Sequence, residues 1–307
     1  EEITMKTSKN ARLRELIAGP GIVVAPGCHD GLTARLIQKN GFEVAYMGGN
    51  GSVASYLGLP DIGLATQTEM VTRARYLADV LDIPLVCDAD TGYGDVSAVV
   101  RTIRAYEAAG VSGVHLEDQV MPKKCGAMEG VQVVPVEEAC AKIRAAIAAR
   151  RDPNFVVIAR TDSFNTYGVD EVIRRCKLFW DAGADMLMPE NLVEREDVAR
   201  VAAELTAYQS PVRPEKPVVL YDVCEFTRGQ IYSNEELEAM GYHFVIHPLG
   251  SILMEARLLD RFYKEYQEKG TTLALYDEGL FEKRPVYQDI LGYSDAMALR
   301  EAYKTGQ

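Results

Sequence analysis

The chain has 307 residues, the size of one α/β barrel of about 250 residues plus additions, so a single domain spanning 1–307 is the first expectation. Hydrophobic residues make up 48% and charged residues 25%, a balance that excludes disorder and implies a sizeable core. The net charge of −12, without a long run of lysine and arginine, argues against nucleic acid or an anionic membrane as a partner.

The first residues, EEITMKTSKN, lack the basic start and apolar core of a signal peptide, and no apolar run approaches the roughly 20 residues that span a bilayer. Cysteines at 28, 87, 125, 140, 176 and 224 show neither close pairing nor metal-knuckle spacing. A reduced, soluble, cytoplasmic protein is the expectation, with earlier removal of an organelle-targeting segment left open.

Eight short apolar runs alternate with longer helical patterns: GIVVAPG, EVAYMGG, PLVCDAD, GVHLED, FVVIARTD, MLMPE, PVVLYD and HFVIHPLG. Strands without polar alternation, separated by helices, predict a parallel sheet covered on both sides, and eight of them predict a closed (β/α)8 TIM-type barrel. A helix end, a glycine and then a strand recur at Gly41, Gly110, Gly183 and Gly241, as expected for left-handed helix caps that turn the chain back into the sheet.

Residues just past the C-terminal end of a barrel strand face the active site. The first such segment, YMGGNGS, carries Tyr46, Gly48, Gly49 and Asn50, and its bare backbone N–H groups suit an anion, although many glycine turns bind nothing. Next, DAD places Asp88 and Asp90 two apart, on one face of an extended strand, and the following run ends in Glu117 and Asp118. Hard oxygen ligands of this kind suit Mg2+, with Mn2+ as a substitute, one carboxylate binding directly and others through water. Either motif alone equally fits a structural ion pair.

KKCG, Lys123 to Gly126, sets a thiol behind two lysines on a glycine-flanked loop, where the thiolate of Cys125 is favoured, whereas most buried cysteines are inert. In ARTDS, Arg160 follows an apolar run and offers a fork for a carboxylate; an ion pair with Asp162 or Glu190 is the structural alternative. With Lys123 and Lys124, Arg160 supplies local positive charge for a small anionic substrate. The four histidines are scattered, His115 reads as a core or outer-layer group, and neither a Ser-His-Asp triad nor a zinc site is indicated. After Ser251, ILMEARLLDRFYKEYQEKG has the spacing of an eighth helix, and the tail from about 276 holds one more helical pattern, SDAMALREAYKTG.

DADTGYG, LED and KKCG in this order resemble the isocitrate lyase and phosphoenolpyruvate mutase superfamily, on its carbon–carbon lyase branch. PGCHDGLTARL, YMGGNGSVASYLGLPDIG, ARTDS and MPEN extend the resemblance over most of the chain. It implies a direct metal contact from Asp88, with Asp90, Glu117 and Asp61 acting mostly through water. It also implies that Arg160 and Glu190 bind the substrate together with the 48–50 backbone, and that Cys125 protonates the enolate product. An eighth helix exchanged between subunits and a homotetramer built as a dimer of dimers are implied as well.

The implied reaction is a Mg2+-dependent retro-aldol cleavage of a 2-hydroxy di- or tricarboxylate, of the alkylmalate or methylisocitrate type, into a 2-oxo acid and a carboxylate. Oxaloacetate hydrolysis or decarboxylation, a phosphonopyruvate-type mutase and a non-catalytic metabolite binder are the rivals. The chain departs from the family pattern at Gly48, where a hydroxyl residue is usual, at Asn50, and at Ala127, where lyases often have histidine. Asp222 stands in place of asparagine, and the threonine–proline pair near Gly229 and Gln230 is absent. These departures predict a smaller or less charged substrate than isocitrate.

Overall fold

The computed structural model describes residues 8–126, 128 and 130–304. Each of the eight apolar runs contains one strand: β1 (Val23–Pro26), β2 (Ala45–Met47), β3 (Leu85–Asp88), β4 (Gly113–Glu117), β5 (Val156–Thr161), β6 (Met186–Pro189), β7 (Leu220–Asp222) and β8 (Phe244–His247). All pairings are parallel, and helices connect successive strands, as buried apolar runs with long crossovers require.

The strands form two ladders among the described residues, β1-β8-β7 and β2-β3-β4-β5-β6, where one continuous ring was expected. Between the two ladders only single parallel bridges occur, Gly27 with Tyr46 and Leu187 with Val219. β2 and β7 have three residues each, too short to carry a longer ladder on both edges.

Helix starts follow local side-chain chemistry. Asp30 with Thr33, Thr66 with Glu69, and Ser233 with Glu236 form reciprocal caps that satisfy the first N–H groups of the helices Gly31–Lys39, Gln67–Val80 and Asn234–Met240. The glycines of the repeat, 41, 110, 183 and 241, have φ of 85°, 84°, 105° and 106°, so the chain does turn through the left-handed region at each.

Residues alternate along the strands between two cores. Met47, Cys87, Val114, Val157, Leu187, Tyr221 and Val245 pack against the helices. Tyr46, Val86, Ile158, Met188, Leu220 and Ile246 form a second cluster on the opposite face, with Leu13 of the helix Lys9–Ala18 packed against it.

The C-terminal part is built differently. The helix Gly250–Lys269 matches the expected eighth helix and has no buried residue, and Met254, Leu258, Tyr263 and Tyr266 are exposed along it. Helices Leu273–Asp277, Arg284–Ile290 and Tyr293–Ala302 follow; the first two escaped the sequence reading because each has only five or seven residues. No helix among the described residues is long and apolar enough to cross a membrane.

Candidate active site

The period-2 alternation that builds the inner core also builds the site. One step of two residues beyond Tyr46, Val86, Ile158, Met188, Leu220 and Ile246 lie Gly48, Asp88, Arg160, Glu190, Asp222 and Pro248, and all six line one cavity. The inner face thus changes from apolar to charged at the C-terminal ends of the strands. Asn50, Asp61, Glu117, Lys123, Lys124 and Cys125 complete the expected set around the same cavity. Asp90 sits just behind it, with φ of 47°, and touches Lys123.

Lys123 is the centre of the acid group. Its Nζ lies 2.7 Å from Asp61 Oδ1 and 2.6 Å from Asp90 Oδ1, in a nearly dry setting. Burial works against this ammonium, and Asp90, Glu117, Asp88 and Asp61 more than offset it, holding its pKa well above the usual lysine value. The spacing of KKCG placed Lys123 beside the thiol; in the fold its charge serves the carboxylates instead.

Asp88 accepts hydrogen bonds from the N–H of Gly49 at 3.0 Å and of Asp90 at 2.8 Å. Burial pushes its pKa up, while His115, Lys123 and Arg160 around it prevail and hold it below the usual carboxylate range. A Cβ on Gly49 would come within 2.7 Å of Asp88 Oδ2, so glycine is required for this approach. His115 is fully buried; its Nε2 pairs with the Tyr46 hydroxyl at 2.7 Å and its Nδ1 lies 3.7 Å from Asp88, an outer layer, as its position on β4 suggested.

The donor set suits a hard divalent cation. Asp61, Asp88, Asp90 and Glu117 converge on a single ammonium, and Glu117 Oε1 is buried without a hydrogen-bond partner among the described residues. Burial raises the Glu117 pKa well above its usual range. No group of three or more such side chains is already in coordinating geometry among the described residues, because Lys123 stands between them.

Arg160 is clamped by Asp162 through Nε at 3.0 Å and Nη2 at 2.7 Å, and also faces Glu117 at 3.6 Å and Glu190 at 3.9 Å. The two readings of Arg160 are therefore compatible, since the ion pair holds the guanidinium at the cavity. Asp118, next to Glu117, points away and binds Thr161 Oγ1, the Asp162 N–H and Arg175, which supports the clamp from behind. Gly126 lets the KKCG loop touch this pair, because a Cβ there would lie 2.5 Å from Arg160 Nη2.

Cys125 is partly exposed and donates its backbone N–H to the carbonyl of Asp61 at 3.0 Å, which ties the loop to the acid group. Ala127 and Glu129 lie outside the described residues. Two features were missed in the sequence. Cys224 also lines the cavity, and Glu190 and Asp222 reach it together from the adjacent strands β6 and β7. Burial raises both carboxyls, Glu190 to about 7 and Asp222 well above its usual range. Counting in twos from Leu220 would have found Asp222 and Cys224 together.

The chain is similar to known proteins over most of its length. The family model described as phosphoenolpyruvate phosphomutase matches residues 13–264. The chain is 38% identical to 2,3-dimethylmalate lyase of Eubacterium barkeri over 297 residues, covering 97% of this chain and 99% of that one. Its fold matches oxaloacetate acetylhydrolase in complex with 3,3-difluorooxalacetate, with a TM-score of 0.86, 31% identity and coverage of 97% and 98%. It also matches phosphonopyruvate hydrolase in complex with oxalate and Mg2+, with a TM-score of 0.84, 25% identity and coverage of 97% and 100%.

Proposed function

The chain belongs to the phosphoenolpyruvate mutase family of enzymes, and from that premise we propose that it is a Mg2+-dependent carbon–carbon lyase acting on a 2-hydroxy dicarboxylate of the alkylmalate type. The observation that carries this reading is the convergence of Asp88, Arg160 and Cys125 on one cavity at the strand ends. Asp88 would hold the cation, with Asp61, Asp90 and Glu117 around it, and when bound the ion supplies positive charge to the substrate's oxygens. Similarity to a hydrolase seen with oxalate and Mg2+ supports the same assignment.

The remaining steps belong to the chain's own side chains. Arg160, aimed by Asp162, holds a substrate carboxylate, and the N-terminal turn of the helix Gly49–Leu57 offers its N–H groups to the oxo acid portion. The hydroxyl proton leaves to a base, the bond to the neighbouring carbon breaks, and its electron pair stays on that carbon as an enolate. Cys125 returns one proton to that carbon, and Lys124 adds positive charge at the loop. The products are a 2-oxo acid and a carboxylate.

The acid at Asp222 favours a dicarboxylate over methylisocitrate, since it would repel a third carboxylate. Hydrolysis of oxaloacetate is the second reading, favoured by the likeness to oxaloacetate acetylhydrolase. The test is a screen of isocitrate, 2-methylisocitrate, alkylmalates, oxaloacetate and phosphonopyruvate with Mg2+, following 2-oxo acid. An alkylmalate is expected to have the highest kcat/KM, and a clear preference for a tricarboxylate would refute the choice.

The assembly is part of the proposal. The eight strands form one closed barrel domain, supported by the two single bridges that join the ladders. The exposed apolar side chains of Gly250–Lys269 support its exchange between subunits in a homotetramer. Light scattering on the purified protein should give four times the chain mass.

A further inference from the structure

Between β4 and the helix Val136–Ala149 the chain makes one long excursion that carries Lys123, Cys125 and Gly126. Its neck is closed by backbone contacts. The N–H of Val134 donates to the carbonyl of Asp118 at 2.8 Å, the N–H of Val120 donates to the carbonyl of Gln132 at 2.8 Å, and Gln119 forms an antiparallel bridge with Val133. Gln119 is therefore tied to the barrel just beyond Glu117, the last residue of β4, and it is buried.

From this fixed point the Gln119 carboxamide reaches forward into the excursion. Its Nε2 donates to the carbonyl of Lys124 at 2.9 Å, and its Oε1 accepts from the N–H of Lys124 at 2.9 Å. One side chain thus meets both the donor and the acceptor of the residue that directly precedes the thiol. Lys123 and Cys125, on either side, are held by the Asp61 segment: Lys123 Nζ by the carboxylate and the Cys125 N–H by the carbonyl. Gln119 itself does not line the cavity, so it can act on the chemistry through Cys125 but not on the substrate.

The residue type follows from the contact. A carboxamide of this length presents a donor and an acceptor side by side, the complement of a backbone N–H and C=O. A glutamate would set a second acceptor against the Lys124 carbonyl, and a methionine, of similar length, replaces neither bond. Released from the amide, the Lys124 backbone would turn to water for its hydrogen bonds and carry Cys125 with it.

We propose that Gln119 is a positioning residue for the proton donor: its two hydrogen bonds fix the backbone of Lys124 and thereby aim the Cys125 thiol into the cavity. The proposal rests on the reading of Cys125 as the group that protonates the enolate, and it adds the part of the chain that aims it.

Gln119→Met removes both bonds and should lower kcat by about 10- to 100-fold, the cost of misplacing a reacting group. KM should stay near the wild-type value, because Arg160 and the turn at Gly49 hold the substrate elsewhere. The double variant with Cys125→Ser separates aim from general loosening: once the thiol is gone, Gln119→Met should cost less than about twofold further. An equal loss in both backgrounds would overturn the proposal. Alkylation of Cys125 by iodoacetamide, with Mg2+ present and read by mass spectrometry, gives a readout independent of turnover, since the other five cysteines are buried. The variant should react about fivefold faster or more, as the loss of two hydrogen bonds releases the thiol to solvent; an unchanged rate would also overturn the proposal. If Gln119→Met does not fold, Gln119→Glu removes the donor while keeping the length and carries the same expectations. If Cys125→Ser alone turns over normally, the reading of Cys125 fails, while the alkylation rates still decide whether Gln119 holds the thiol in place.

Discussion

At the ends of β3 and β4, Asp88, Asp90 and Glu117 gather with Asp61 around Lys123, while at the ends of β6 and β7 Glu190 and Asp222 have each other and an arginine already held by Asp162. The two groups are made of the same residue types. What separates them is the distance to positive charge. With an ammonium at 2.6 Å and 2.7 Å, the first group is arranged for cations. With the nearest guanidinium at 3.9 Å, the second group has no such close cation, and burial raises both of its carboxyls.

The largest expected effect tests the cation side. Stripping divalent ions with a chelator should abolish turnover, and Mg2+ or Mn2+ should restore it; full activity in metal-free protein would break the contrast. Asp88→Ala should likewise lose activity while retaining a folded circular dichroism spectrum, with a lower melting temperature because the N–H groups of Gly49 and Asp90 lose their acceptor.

Cys125 lies on the loop that joins the two groups, touching Asp61 on one side and, through Gly126, Arg160 on the other. Cys125→Ser should fold and bind metal yet lose about 10²–10⁴-fold in kcat, the range of a positioned general acid. Substrate should also slow alkylation of Cys125. A serine variant with near-normal turnover would move oxaloacetate chemistry or a mutase reaction ahead of the lyase.

A smaller effect is expected where the arginine between the groups is aimed. Asp162→Asn loosens the two-point clamp on Arg160 and should lower kcat/KM by about 10- to 100-fold, the cost of misplacing a binding group. Guanidine in the assay, which can replace a missing arginine but not its aim, should fail to rescue this variant. The smallest effect concerns the anchor of the cation side. The Tyr106 hydroxyl donates to the backbone carbonyl of Asp88 at 2.8 Å, and Tyr106→Phe should cost about 1 kcal/mol of stability, read from a denaturation midpoint.

The strands and most of the site were legible along the chain. Short apolar runs, each ending in an acid or a glycine, identify parallel strands and the end of them that carries chemistry. Asp222 was noticed only as a departure from a family pattern, because Glu190 is 32 residues away and nothing local announces that the two carboxyls line one cavity. Lys123 was assigned to the thiol next to it in sequence, because spacing records neighbours along the chain and not the carboxylates that three other segments bring to it.

The period of two along a strand and the order of the motifs therefore determined the inner face, the site residues and the family, since both are local properties that survive without coordinates. Only the tertiary structure decided which carboxylates meet an ammonium and which face only a more distant guanidinium. That depends on distances of 2.6 Å against 3.9 Å between side chains from different strands and loops, and on their removal from water.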